Sequence, residues 1–134
     1  MFSTKGRYAI RVMIDLAEQQ GDEGYVPLKD IAERQELSKK YLEIIAKDMV
    51  TGGLIKGISG KHGGYRLSRD AASYSVGEIL KLMEETLAPV ACIADKNYEC
   101  SRKDICQTLP MWEEYDRMTK EFFYGRKLTD LMKK

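Results

Sequence analysis

The chain has 134 residues, 43% of them hydrophobic and 32% charged, with a formal net charge of +1. That length suits one domain, or a small domain with an appended arm, and no leader-like or membrane-length apolar run is present, so a cytoplasmic protein without a membrane partner is expected. Three cysteines, an odd number, argue against a disulfide framework in that reducing compartment.

Residues 4–20 put Ala9, Val12, Met13, Leu16 and Ala17 at helical spacing and predict an amphipathic helix. Gly21-Asp22-Glu23-Gly24 closes it with turn chemistry, Tyr25-Val26 reads as a brief extended piece, and Pro27 suits the first position of a second helix. LKDIAERQELSKKYLEIIAKDM then reads as two helices across a tight turn. Leu28, Ile31 and Ala32 face inward from the first, Leu37 plugs the turn, and Ser38 caps the second. Leu42, Ile45 and Met49 form the inner stripe of the second helix, leaving Lys39, Lys40, Glu43, Ile44 and Lys47 outward. This is helix-turn-helix logic, in which the second helix presents its N-terminal residues to a major groove.

Gly52-Gly53 ends that helix. Residues 54–58 and 65–67 read as strands around the glycine-rich turn 59–64, a basic wing. Lys61, His62 and Arg66 supply charge and donors there, while Gly60, Gly63 and Gly64 let the backbone come close to phosphate. The stretch 38–69 holds seven Lys/Arg against only Glu43 and Asp48, which marks a polyanion-binding face. Each of these residues also has a plainer role: Ser38 as a cap, Tyr41 as packing against the wing, Lys47 as a solvated lysine.

Ser75 caps a further helix through Glu85, with Val76, Ile79, Leu80 and Met83 inward. The polar run CIADKNYECSRKDIC follows, with seven residues between Cys92 and Cys100 and five between Cys100 and Cys106. Buried structural cysteines scatter through a core, whereas clustered ones gather thiolates around a soft metal or one another. In the last third Leu109, Trp112, Tyr115, Met118 or Thr119, and Phe122 recur at three- and four-residue steps. So aromatic a stripe needs a large apolar partner, either the chain's own domain or, more economically, a second copy of the helix. With one histidine, in a glycine-rich turn, and no nucleophile–base pair, an enzyme is not expected.

STKGRYAIRVMIDLA, PLKDIAERQELSKKYLEII, GISGKHGGYRLSRD, SVGEILKLMEE and the closing KLTDLMKK together resemble the Rrf-two family of winged helix-turn-helix regulators, which has IscR-, NsrR- and CymR-like members. The resemblance covers nearly the whole chain. It implies a mainly α fold: a winged helix-turn-helix DNA-binding domain over residues 1–85, a cysteine-containing sensor loop over 86–106, and a dimerisation helix and C-terminal segment over 107–134. It implies a homodimer on a pseudopalindromic double-stranded operator, acting as repressor or activator, and allows a metabolic-enzyme partner. DNA contacts are expected from Thr4, Lys5, Ser38, Lys39, Lys40, Tyr41, Glu43, Ser59, Gly60, Lys61, His62, Gly63, Tyr65 and Arg66, and dimer contacts from Trp112, Tyr115, Thr119 and Phe122.

Cluster-binding members carry three cysteines here, so Cys92, Cys100 and Cys106 are the expected ligands of an iron–sulfur cluster, either 2Fe-2S or 4Fe-4S. Where IscR-like members have a histidine three residues after the third cysteine, this chain has Leu109, and near the N-terminal aspartate of NsrR-like members it has Tyr8. The fourth ligand is then a carboxylate or amide, a backbone group, solvent or a small thiol. Three alternatives stand beside the cluster: thiols that sense oxidants themselves, as in a CymR-like mode, a zinc site, and an adaptor without DNA binding.

Overall fold

The computed structural model of the chain describes residues 2–133; Met1 and Lys134, the outer ends of the first and last expected segments, lie outside the described residues. Among these residues six α-helices and one antiparallel hairpin follow in order: α1 (Thr4–Gln19), α2 (Leu28–Gln35), α3 (Lys39–Thr51), β1 (Ile55–Ile58), β2 (Gly64–Leu67), α4 (Val76–Met83), α5 (Ala91–Ala94) and α6 (Leu109–Tyr124). Short 3-10 turns lie at Ala71–Ser73, Lys103–Ile105 and Leu128–Leu131. This is the expected mainly α winged-helix architecture.

One apolar cluster holds the head together. Ala9, Val12, Met13 and Leu16 of α1 meet Ile31 of α2, Leu42, Ile45 and Met49 of α3, Ile55 and Leu67 of the hairpin, and Ile79 of α4, all buried. The α1–α2 angle is fixed by a buried carboxylate. Asp15, 2% exposed, accepts both Nε and Nη2 of Arg34 at 3.0 and 2.8 Å and Nε2 of Gln35 at 3.0 Å. That pairing raises the Arg34 guanidinium pKa further above its usual value, through the hydrogen bonds to Asp15 first. Glu36 ends α2 in a left-handed conformation, and the Leu37 N–H closes onto Ala32 O at 2.9 Å. Leu37 therefore plugs the turn as expected, and the Ser38 hydroxyl accepts the Tyr41 N–H at the start of α3.

The hairpin pairs Ile55 with Leu67 and Ile58 with Gly64, and it is anchored twice. The Val26 N–H donates to Tyr65 O at 2.7 Å and the Tyr65 N–H to Val26 O at 2.9 Å, so Tyr25-Val26 is the brief extended piece anticipated. Gly64, at φ +156°, permits this approach: a Cβ there would sit 2.4 Å from the Val26 carbonyl. At the root, the buried Tyr74 hydroxyl donates to Leu54 O at 2.6 Å and accepts the N–H groups of Ser68 and Arg69 at 3.0 and 3.3 Å. Pro27 is one position earlier than expected. It is the extended N-cap of α2, because its carbonyl takes the Asp30 and Ile31 N–H groups while Val26 stays paired with the wing.

Ser75 and Glu78 form a capping box on α4. The helix ends two residues before the expected Glu85, since Glu84 turns extended and its Oε1 accepts the N–H and hydroxyl of Ser3, each at 2.8 Å. That contact ties the start of α1 to the point where the cysteine loop departs. α6 begins at Leu109 with Pro110 in its first turn, and 16 residues give it a length of about 24 Å. Gly77 lets it lie close to α4, for a Cβ there would meet the Tyr124 ring at 2.6 Å. Beyond α6 the chain returns to the head. Leu128 is fully buried in the core, and its N–H donates to Tyr74 O at 3.0 Å.

Candidate functional site

The outward face of α3 and the wing form an open groove of about 740 Å³. Lys39, Glu43 and Lys47, one turn apart, line its α3 wall; Gly57, Ser59, Gly60, Gly63 and Tyr65 line the wing side, and Lys29 enters from α2. Three lysines against one glutamate give the groove a positive balance. Lys40, Lys61 and His62 are exposed outside the groove, Lys40 on the same helix and the other two at the wing tip. Lys29 and Ile58, also on the groove wall, were not singled out in the sequence, Lys29 because it lies outside the basic stretch 38–69 and Ile58 because it carries no charge or donor.

Several expected DNA contacts are already engaged within the chain. Lys5 pairs with Asp48 of α3. Arg66 donates to the carbonyls of Gly24 and Asp22 at 2.7 and 3.1 Å and lies over the Tyr25 ring, bracing the wing against the α1–α2 turn. Thr4 accepts from Arg7 at 3.3 Å. Tyr41 packs edge-on against Tyr8 at 5.8 Å, so its packing partner is α1 and not the wing. Tyr8 also has Arg11 over its ring and is thereby occupied on the α1–α3 side.

The cysteines follow on a loop that packs little of itself away. Cys92, on α5, and Cys100 are exposed, and Cys106 is half-buried just before α6. Among the described residues no three His, Cys, Asp or Glu side chains stand as a group able to hold a metal ion. Cys92 and Cys100 do share one cavity of about 460 Å³, whose other walls include Lys103 and, from α6, Leu109, Glu113 and Asp116. Cys106 is outside that cavity with its Sγ 3.4 Å from the Thr108 hydroxyl. This contact, then the Thr108 main chain, holds the Cys106 thiol below its ordinary pKa and favours the thiolate, the form that binds soft metals.

Asp116 could not be found from the sequence. An acid on a helix wheel is normally solvated, yet the cysteine loop covers this one to 7% exposure. Its Oδ2 pairs with Lys120 at 2.9 Å, while its buried Oδ1 has no partner.

A second face of α6 is bare. Met111, Tyr115, Met118 and Phe122 are each more than half exposed at steps of four, three and four residues, the spacing of a coiled-coil seam. Trp112 and Thr119 are half-buried and, with Phe2, Leu87, Pro89 and Phe123, line an adjacent groove of about 640 Å³. Tyr115 and Phe122 thus stand on this exposed stripe, which Met111 and Met118 share, with Trp112 and Thr119 on its flank.

The profile of the Rrf2 family, described as iron-dependent transcriptional regulator, matches residues 2–134. Protein rrf2 of Nitratidesulfovibrio vulgaris Hildenborough is 37% identical over 131 residues, covering 98% of this chain and 86% of its own. The HTH-type transcriptional regulator IscR of Escherichia coli is 37% identical over 118 residues, covering 87% and 71%. Among solved structures, CymR, the global cysteine regulator of B. subtilis, superposes with a TM-score of 0.77 at 33% identity, covering 98% of this chain and 95% of its own.

Proposed function

Because the chain belongs to the Rrf2 family of DNA-binding transcriptional regulators, and not to an enzyme family, we propose that it acts in the cytoplasm as a homodimer whose grip on a pseudopalindromic operator is set by an iron–sulfur cluster at Cys92, Cys100 and Cys106. The observation that carries the reading is the position of the cysteine loop. It lies between Glu84, which fastens the start of α1, and α6, whose exposed seam fits a second copy of itself. A change in the loop thereby acts on the angle between the DNA-binding heads. Half-sites on one face of DNA are roughly 34–36 Å apart, so a small rotation alters whether both heads engage.

The donors fit the group in kind, although the three cysteines are not gathered in this structure. Thiolates are the ordinary ligands of such clusters, the Cys106 thiol is held toward its thiolate by Thr108, and Cys92 and Cys100 line one cavity together with the buried Asp116. When bound, the cluster supplies redox-responsive iron chemistry. The chain's own residues do the rest: Ser38 caps α3 toward the groove, Lys39, Lys47 and Lys29 meet phosphate, Arg66 stiffens the wing, and the α6 seam joins the subunits.

The test is anaerobic purification of the wild type and of a variant with all three cysteines changed to alanine. Wild type is expected to carry iron and sulfide with visible charge-transfer absorption, and the variant neither. A colourless, iron-free wild type sinks the cluster reading. A second reading, a thiol sensor, is favoured by the pairing of Cys92 and Cys100 on one cavity. Peroxide would oxidise the two thiols to a disulfide and be reduced to two waters. Iron-free protein whose DNA affinity responds to peroxide would support it.

A further inference from the structure

α6 presents a third face, toward the cysteine loop. Leu109, Glu113, Asp116 and Lys120 follow one another at helical steps, and the first three line the cavity that Cys92 and Cys100 open into. Leu109 offers that cavity no donor. Glu113 is exposed, so water satisfies its carboxylate. Asp116 differs from both. It is 7% exposed, and its Oδ1 is the single buried side-chain oxygen or nitrogen among the described residues that lacks a hydrogen-bond partner.

Native proteins leave few such atoms unmatched, and an orphaned one needs an explanation, of which a bound ion is one. Lys120 accounts for Oδ2 alone, leaving Oδ1 without a partner on a residue that lines the same cavity as Cys92 and Cys100. Protein-bound clusters commonly take four protein ligands, and this chain offers three cysteines in all. We infer that Asp116 is the fourth protein ligand of the cysteine site, its Oδ1 binding iron while Oδ2 keeps Lys120. The inference rests on the cluster reading above and adds a consequence to it. α6 then carries a metal donor on one face and the subunit seam on another, so that occupancy of the site is felt directly by the dimer helix.

The experiment compares anaerobically reconstituted wild type, Asp116→Asn, Asp116→Cys and Glu113→Gln. Iron and sulfide per chain, visible and electron paramagnetic resonance spectra, and the cluster's lifetime against a chelator are measured, with the thermal midpoint of each metal-free protein as a folding control. Changing even an outer-shell partner of a metal typically costs 10–100-fold in affinity, so Asp116→Asn is expected to shorten the lifetime at least about 10-fold and to alter the resonance signal. Asp116→Cys is expected to restore retention with a spectrum displaced toward all-thiolate ligation, and Glu113→Gln to match wild type. Wild-type spectrum and lifetime in Asp116→Asn would overturn the inference, reducing Asp116 to a partner of Lys120. So would failure of Asp116→Cys to retain the cluster while its metal-free fold is intact. Iron-free wild type would instead defeat the cluster reading itself.

Discussion

The head and the arm of this chain are finished to different degrees. In the head, residues 2–83 with the returning 126–133, the apolar stripes close on one another and each buried side-chain oxygen or nitrogen among the described residues has its partner: Asp15 has Arg34 and Gln35, and the Tyr74 hydroxyl has three main-chain groups. In the arm, residues 84–124, four large apolar side chains stand in water at seam spacing, two cysteines are exposed, and a buried carboxylate oxygen is unmatched. The head is a complete structure for one chain. The arm leaves apolar and thiol surfaces exposed, which the proposed function assigns to a second subunit and a metal.

This contrast can be broken from either side. The largest expected effect is in the head. Arg34→Met strands the Asp15 carboxylate in the core and should cost about 2–3 kcal/mol in urea unfolding, below the 3–5 of a fully buried pair because the Arg34 side chain is 38% exposed. A cost under about 0.5 kcal/mol, the scale of ordinary surface substitutions, would mean that polar closure is not what completes the head. Next is Phe122→Glu on the seam. Loss of a central aromatic anchor, about 2 kcal/mol, should raise the dimer dissociation constant about 30-fold by sedimentation equilibrium, with the thermal midpoint of the head unmoved at dilution. Unchanged association would move the subunit contact off this face.

Tyr74→Phe should cost about 1.5 kcal/mol, since the Leu54 carbonyl and two N–H groups lose a buried partner; chemical denaturation measures it, and the arm's association should not respond. The smallest effect is at the groove. Lys39→Ala should lower the slope of log affinity against log salt by about one unit, as loss of one phosphate contact does. An unchanged slope would exclude Lys39 from the DNA face.

Local pattern made most of the head readable. The α1 stripe, the Leu37 plug, the Ser38 cap and the strand–glycine–strand wing depend on neighbours within a few residues, and all form as expected. Pro27 moved one position because a non-local pairing, Val26 with Tyr65, competes for the residue before it. Charge was harder to interpret. Lys5 and Arg66 look in sequence like free cations, yet Asp48 and the Gly24 and Asp22 carbonyls take them, partners far along the chain. In the arm, Tyr115 and Phe122 were legible as an apolar stripe. Met111 and Asp116 were not, because the same helix wheel carries an exposed apolar stripe on one side and a wall of the cysteine cavity on another, and only packing tells which acid is buried.

The central claim, that the state of the arm sets the grip of the head, is tested most directly by one titration. Duplexes selected from random DNA by the protein itself are titrated anaerobically with cluster-loaded and metal-free protein at a single salt concentration, and binding is followed by fluorescence anisotropy. The account predicts dissociation constants at least about 10-fold apart, a coupling of about 1.4 kcal/mol or more, with the difference abolished when Cys92, Cys100 and Cys106 are alanine. Equal affinities for loaded and metal-free protein would contradict it.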